Sequence, residues 1–443
     1  MKKILYFSTI LAVVTSCGSS NNGELTGVEG RKKYFEPEPF GMVFIPQGSF
    51  NIGPSDQDVA WAQNSLSKTV TLDAFWMDET EITNNEYRQF VFWVRDSIMR
   101  RMLGQQIDDF VISEDAQGNP IDPPFLNWET KIDPEDEEQT TILNDLYLTD
   151  QERFFRRKEI DTRKLMYEYY WIDLKQAAEK GNRYNFDTKQ YQGYVYNNRG
   201  EKIEITNRSS FVFQDVINVY PDTLCWIADF TYSFNEPYTT MYFWHPAYDN
   251  YPVVGVNWKQ ASAFCIWRTQ LLNTALQHSG EYFVHDYRLP IESEWEYAAR
   301  GGLDLSMYPW GGMYTRNNEG CFLANFKPLR GNYTDDGGSI SVKVGSYEPN
   351  EYGLFDMAGN VSEWTSSAYD ESAYVFTHDF NPDYKYNAKP DDPPVLKRKV
   401  IRGGSWKDIG YYLQVSTRAY EYQDTAKSYI GFRCVRTYLG GNN

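Results

Sequence analysis

Six short motifs rich in glycine, tryptophan and charged residues constrain the fold of this chain more than its composition does. They occupy residues 75–84, 251–258, 287–302, 356–364, 402–406 and 431–434. At the end of the first, Thr83 and the following Glu86 have the spacing of a capping box. Apolar residues behind that box recur at the helical positions i, i+3, i+4 and i+7, namely Tyr87, Phe90, Val91 and Val94. Pro290 and Gly301 fall where a second helix begins and ends.

These motifs resemble those of the formylglycine-generating enzymes, which oxidise a cysteine in a client sulfatase. The resemblance covers roughly residues 41–95 and 250–436. It implies an α+β fold, namely the formylglycine-generating-enzyme variant of the C-type-lectin-like fold, low in regular secondary structure. A long insertion interrupts it. The domain boundaries that we predict are 41–95 and 241–438 for the two parts of the family domain, and 96–240 for the insertion.

Residues 402–405 of this chain are Arg-Gly-Gly-Ser. In that family two cysteines follow this element, and their positions here are Asp408 and Leu413. A thiolate is the nucleophile and the metal ligand in such chemistry, and neither side chain can supply one. The resemblance and the substitutions together predict a pseudoenzyme without copper. Among the other residues, no known catalytic spacing of serine, histidine or cysteine is found.

The N-terminus has the pattern of a bacterial lipoprotein signal. Lys2 and Lys3 precede an apolar run over 4–14, which is too short to cross a bilayer and suits a signal peptide. Residues 14–17, ending in Cys17, match a lipobox, which predicts a signal peptide over 1–16. A lipidated Cys17 with its tether would then extend over 17–40. Because Gly18 is not aspartate, we expect outer-membrane anchoring on the periplasmic side; an ordinary secretory signal with a chance cysteine is the alternative.

The predicted insertion is too long to be a bare loop in a compact domain. It contains an acidic run over 133–138, a predicted helix around 151–179 that is dense in Arg, Lys and Tyr, and several strand-like runs. One alternative is that it only packs on the core and has no binding role. The other is that it binds a partner, since insertions on rigid scaffolds often carry function.

Beyond Cys17, four cysteines could form two disulfides in three connectivities in an oxidising compartment. They are Cys225, Cys265, Cys321 and Cys434. Sequence spacing does not choose among the connectivities. The family resemblance implies the pair Cys265–Cys434, and it leaves Cys225 and Cys321 free or joined to each other.

The resemblance also implies structural calcium. Calcium prefers six to eight oxygen ligands, and in the family such ligands come from two loops. The first candidate set here is Asp356, the carbonyls of Gly359 and Val361, and Glu363; the second is Asn325, Phe326 and Asp336. Residues 332–338 depart from the family pattern, so the second set is less well matched. The alternative for both sets is that the carboxylates cap turns without a metal.

The net charge of −18 argues against nucleic acid as a partner, because phosphates require a basic surface. Within the family, the lipobox, the lost cysteines and the insertion resemble the GldK/PorK group of gliding-motility lipoproteins. That resemblance implies a homo-oligomeric periplasmic ring of the type IX secretion system, built with a PorN/GldN-type protein. A GldJ-like motility lipoprotein, a stand-alone lectin-like binding lipoprotein and an active oxidase are the alternatives.

Overall fold

The computed structural model describes residues 28, 34–54, 67–115, 117–155, 157–197, 200–230, 237–328 and 331–440. The predicted signal peptide and Cys17 lie outside the described residues. The chain divides into two units, Met1–Pro37 with Gly440–Asn443, and Glu38–Leu439. All helices and strands below belong to the second unit. In the described part of the chain, we find no helix with both the length and the apolar character needed to cross a membrane.

Eight α-helices lie within the described residues. They are α1 Asn84–Leu103, α2 Glu137–Leu143, α3 Leu174–Ala178, α4 Cys225–Asp229, α5 Pro237–Met241, α6 Trp258–Ser279, α7 Glu292–Arg300 and α8 Ala373–Phe376. The strands of the same residues are β1 Met42–Ile45, β2 Gly48–Ile52, β3 Lys68–Leu72, β4 Phe75–Asp78, β5 Val111–Glu114, β6 Pro120–Leu126, β7 Met166–Ile172, β8 Tyr184–Asn185, β9 Gln190–Tyr191, β10 Tyr194–Tyr196, β11 Lys202–Glu204, β12 Val212–Asn218, β13 Tyr287–Arg288, β14 Ser362–Ala368, β15 Arg398–Arg402, β16 Ala419–Tyr422, β17 Ile430–Gly431 and β18 Val435–Thr437.

Helix α1 begins at the predicted capping box. Glu86 Oε2 accepts a hydrogen bond from the Thr83 backbone N–H at 2.7 Å, and the Glu86 backbone N–H donates to Thr83 Oγ1 at 3.3 Å. Two donors at the helix start are thereby satisfied. The predicted apolar face is confirmed, since all four of its residues are buried, namely Tyr87, Phe90, Val91 and Val94.

Helices α1 and α6 form the centre of the main core. The rings of Tyr87 and Phe264 stack with centroids 5.6 Å apart, and Phe432 packs edge-on against both. Aromatic pairs of this kind stabilise a core beyond the area they bury. The core thus joins the N-terminal motif to the last one. Helix α7 ends at Gly301, whose φ of +58° favours glycine, as the sequence predicts.

Among the described residues, two sheets have four strands each, in the orders β1-β4-β18-β13 and β16-β15-β14-β17. In the second sheet, β14 pairs with β15 in antiparallel register, so that Glu363 lies opposite Arg402. It pairs with β17 in parallel register, with Glu363 opposite Gly431. These pairings bring three separate sequence motifs side by side. The prediction of a mixed helix-and-sheet fold is confirmed.

The predicted helix around 151–179 is wrong except for the five residues of α3, Leu174–Ala178. Its centre is strand β7, which pairs with β12 along seven residues of each strand. Side chains along β7 alternate: Tyr167 and Tyr169 are buried, whereas Met166 and Tyr170 are exposed. A period of two and a run of aromatic residues are typical of a strand with one buried face. This alternation outweighs the helix propensity of the neighbouring Lys, Arg and Glu.

Candidate functional site

The loop after β15 holds Asp408, at the position of the first family thiol. Ser405 Oγ donates to Asp408 Oδ2 at 2.6 Å, and the backbone N–H of Lys327 donates to the Asp408 carbonyl at 2.8 Å. Burial raises the pKa of the Asp408 carboxyl, although the Ser405 hydroxyl opposes that shift. The carboxyl group at this position accepts a hydrogen bond from its own loop, and it cannot supply the thiolate that acts as nucleophile and metal ligand.

Leu413, at the position of the second thiol, is part of the core. Its side chain is 0% exposed. It packs in an apolar cluster whose other buried members are Tyr308, Ala324, Phe326 and Ala358. Full burial of a leucine side chain contributes about 1.5–3 kcal/mol. The place of a reactive group is therefore occupied by a packing group.

Helix α4 and the residue after it cover the neighbouring Trp406. The rings of Trp226 and Phe230 stack on Trp406 with centroids 5.9 Å and 5.8 Å away and interplanar angles of 18° and 16°. Asp229 forms an ion pair with Lys407 and accepts a hydrogen bond from Ser428. Residues of the predicted insertion thus pack directly on the loop that carries the former thiol positions.

The first candidate calcium loop has an unusual backbone. Asp356 and Asn360 have backbone φ values of +56° and +58°, which residues other than glycine rarely adopt. At Gly359, a Cβ atom would lie 2.3 Å from the Asn325 carbonyl oxygen, so the close approach requires glycine. The Asn360 backbone N–H donates to the same oxygen at 2.8 Å. The two candidate calcium loops are therefore in direct contact.

Glu363 is bound by protein groups on both of its oxygens. The Arg433 guanidinium contacts the two oxygens at 2.6–2.9 Å, and Trp295 Nε1 donates to Oε2 at 2.7 Å. Both Glu363 and Arg433 are 0% exposed. The interaction is a buried ion pair with the geometry that compensates well for the loss of water.

Glu81, which sequence reasoning missed, lies against Asp356, and their carboxyl groups are within hydrogen-bonding reach of each other. Glu81 Oε1 accepts from Asn360 Nδ2 at 3.1 Å, and Asp356 Oδ2 accepts from the Gly345 N–H at 2.6 Å. The other two oxygens, Glu81 Oε2 and Asp356 Oδ1, are buried, and no N–H group or hydroxyl donates to them; a hydrogen bond between the two carboxyl groups needs a proton on one of them. Burial raises the pKa of Glu81 well above its usual range, and the negative charge of Asp356 is the next largest cause of that shift. Burial also raises the pKa of Asp356 to about 6.

The second loop brings its three predicted residues together. The Phe326 backbone N–H donates to Asp336 Oδ2 at 2.6 Å, and the Gly338 N–H donates to Oδ1 at 3.2 Å. Asn325 Nδ2 donates to the Ile340 carbonyl at 2.9 Å, whereas Asn325 Oδ1 is buried without a donor. The hydrogen bonds to Asp336 are those of a carboxylate that caps a turn.

The fit of these residues to calcium is partial. Across the described ranges, no group of three or more His, Cys, Asp and Glu side chains has the geometry of a metal site. Buried oxygens without a donor remain on Asp356 and Asn325, as a cation would need. Glu363 and Asp336, in contrast, already have protein donors on both oxygens. The carboxylate oxygens near the first loop to which no N–H group or hydroxyl donates belong to Asp356 and Glu81, not to Asp356 and Glu363.

The predicted disulfide partners lie next to each other. Cys265, on α6, and Cys434, between β17 and β18, have Sγ atoms 3.5 Å apart and both are free thiols in the structure. Burial raises the pKa of the Cys434 thiol well above its usual value. Of the other two, Cys225 is buried and Cys321 is exposed, and both are free. The Cys265–Cys434 bridge remains a prediction.

Comparison with known proteins supports the motif assignment. The family model of the Sulfatase-modifying factor enzyme 1-like domain matches residues 31–122 and 178–438. The inactive C-alpha-formylglycine-generating enzyme 2 of Bos taurus is 34% identical over 190 residues, which are 42% of this chain and 50% of that protein. The formylglycine-generating enzyme of Mus musculus is 32% identical over 196 residues, 43% of this chain and 45% of that protein.

The match to curated relatives is confined to part of each protein. The chain spans about half the length of the curated relatives it matches. Among solved structures, PvdO from Pseudomonas aeruginosa is similar over 90% of this chain and 94% of its own, with a TM-score of 0.43 and 15% identity. Relatives named inactive and relatives named as enzymes have nearly equal identity to this chain. The overall similarity therefore does not decide whether the chain is catalytic.

Proposed function

Because this chain belongs to the family of the Sulfatase-modifying factor enzyme 1-like domain, we propose that it is a non-catalytic outer-membrane lipoprotein. In this proposal it forms the periplasmic ring of the type IX secretion and gliding-motility machinery. The ring contains several copies of the chain and a PorN/GldN-type protein. Its proposed framework is the formylglycine-generating-enzyme variant of the C-type-lectin-like fold, held at the membrane by lipid on Cys17.

The proposal that the chain is non-catalytic rests on the residues that occupy the two thiol positions. Asp408 is held by Ser405 within its loop, and Leu413 is packed in the core. A family member that lacks both thiols lacks the groups that bind metal and react with the client cysteine. The rest of the fold is retained, which favours a role in assembly.

The contacts of helix α4 support an assembly role for the insertion as well. Trp226 and Phe230 stack on Trp406, so the insertion is fastened to the core at one end. Elsewhere it exposes large apolar side chains, among them Ile172, Leu174 and Phe186, which are 59%, 72% and 83% exposed. Insertions on a rigid scaffold often carry function, so we place the contact with a partner here.

The first test is an activity assay. We expect no conversion of cysteine to formylglycine in a sulfatase peptide, with or without copper, because no thiol is present at residues 408 and 413. Mass spectrometry of the peptide measures the conversion, and an active family member serves as the positive control. Turnover by the purified chain that disappears in the Ser405→Ala variant would contradict the proposal.

A further inference from the structure

We propose that one edge of the sheet β1-β4-β18-β13 is a second contact of this chain with the lipid bilayer, in which the ring of Phe40 enters the interfacial region. This contact rests on the proposed lipid anchor at Cys17, and it adds an orientation of the domain on the membrane. The contact surface consists of the turn before β1, the exposed side chain of β1 and the residues that follow β18.

Phe40 is held at the tip of a tight turn that leads into β1. The Met42 backbone N–H donates to the Pro39 carbonyl at 3.3 Å, and Gly41, with a φ of +70°, occupies the turn position that favours glycine. The Glu79 N–H donates to the Gly41 carbonyl at 3.0 Å, which fastens the turn to the chain after β4. The side chain at the tip is 99% exposed. A hydrogen-bonded backbone therefore presents one phenylalanine ring to the surroundings.

More apolar surface adjoins this turn. Strand β1 lies at the edge of its sheet, and its Phe44 is 41% exposed. The Phe44 ring packs edge-on against Tyr438 with centroids 5.0 Å apart, and Leu439, the next residue, is 48% exposed. Single exposed apolar residues are common on protein surfaces. Here, in contrast, Phe40 and Phe44 lie four residues apart on the chain, and Leu439 follows a ring in contact with Phe44.

The place of the turn in the chain indicates what covers it. Phe40 follows Cys17 by 23 residues. A coil of that length has a root-mean-square extent of about 25 Å, whereas a compact domain of the size of Glu38–Leu439 is about 50 Å across. An acylated Cys17 therefore keeps the start of β1 nearer the bilayer than the far side of the domain. Phenylalanine and leucine side chains bind the boundary between headgroups and acyl chains by burying apolar area there.

The charge near the turn predicts how the contact depends on lipid and salt. The chain has a net charge of −18, and the exposed residue two positions before Phe40 is Glu38. Negative charge opposes attraction to anionic headgroups, so burial of apolar area is the source of the binding. We therefore expect the contact to form on vesicles of phosphatidylcholine, which has no net charge, and to persist at high ionic strength.

The test places an environment-sensitive fluorophore on residue 40 of the mature, lipidated chain, reconstituted into phosphatidylcholine vesicles. The Phe40→Cys variant is labelled in a Cys321→Ala background, because Cys321 is the exposed cysteine of the described residues. Phe186→Cys in the same background is the matched control, since Phe186 is 83% exposed and belongs to the predicted insertion. Lipids that carry a quencher on the acyl chain report contact with the bilayer. We expect quenching at residue 40 to be several-fold larger than at residue 186, with no decrease when salt is added.

Mass spectrometry of the same sample distinguishes failure of this contact from failure of the anchor. If Cys17 is acylated and the label at residue 40 is quenched no more than the label at residue 186, the turn does not enter the bilayer. The contact is then refuted while the anchor stands, and a partner protein becomes the alternative cover of this edge. A chain without acyl groups on Cys17 would overturn both proposals. Quenching at residue 40 that disappears at high ionic strength would show electrostatic attraction and overturn the apolar contact.

Discussion

Replacement of Arg433 by methionine is expected to lower the free energy of unfolding by about 3–5 kcal/mol. The substitution leaves Glu363 buried without its counter-ion, and it removes guanidinium hydrogen bonds to the carbonyls of Asp78 and Phe355. It also deprives the neighbouring Glu81 and Asp356 of the positive charge closest to them. Guanidinium chloride unfolding of wild type and variant measures the difference.

An exposed ion pair provides the control. Arg316 contacts Asp335 at 2.5 Å, with side chains 43% and 33% exposed. We expect Arg316→Met to cost less than about 1 kcal/mol, because water screens such pairs. Equal losses in the free energy of unfolding for the two substitutions would show that burial of the Arg433–Glu363 pair adds no stability. The double variant Arg433→Met/Glu363→Leu should recover part of the loss, since Glu363 is then no longer a buried charge without its counter-ion.

The second large effect is expected from the disulfide between Cys265 and Cys434. The two residues are 169 positions apart, and their Sγ atoms are already 3.5 Å from each other. A bridge forms with a small movement to about 2.05 Å. It would tie the last strand to helix α6 and contribute about 2–5 kcal/mol, mainly by restricting the unfolded chain. Protein exported to an oxidising compartment should therefore yield a disulfide-linked peptide in a digest without reductant.

Adding a reductant distinguishes stabilisation by the disulfide from stabilisation by the packing of the two cysteine side chains. We expect it to lower the melting temperature of the wild type and to leave the Cys265→Ala/Cys434→Ala variant unchanged. Cys321→Ala serves as the matched control, because Cys321 is exposed and is not a predicted partner. Two freely alkylated thiols at 265 and 434 in the denatured, exported protein would show that the pair stays reduced.

Local features of the fold could be predicted from sequence because short-range chemistry determines them. The capping box of Thr83 and Glu86 lies within four residues, and Gly301 ends its helix through its own backbone freedom. Strand β7 was mistaken for a helix because charged residues with helix propensity surround it. The strand forms by pairing with β12, and Tyr167 is buried against Phe90 of α1, so both contacts are distant in sequence.

The candidate site was predictable in part. The Asp356 loop and Glu363 lie in one recognisable motif, and Arg433 lies in another. Their ion pair depends on the parallel register that sets Glu363 opposite Gly431. Glu81 was missed because its role depends on contact with a loop far along the chain, and an isolated glutamate in a polar motif has no signal of its own.

The central claim, a non-catalytic subunit that assembles into a ring, is tested most directly by the mass of the complex that contains this chain. The complex should be extracted with mild detergent from the outer membrane and measured by native mass spectrometry. We predict a mass many times that of one chain, with several lipidated copies and a PorN/GldN-type partner. We also predict that the Cys17→Ser variant lacks the mass of the acyl chains. A single lipidated chain without a partner would contradict the account and favour a stand-alone binding lipoprotein.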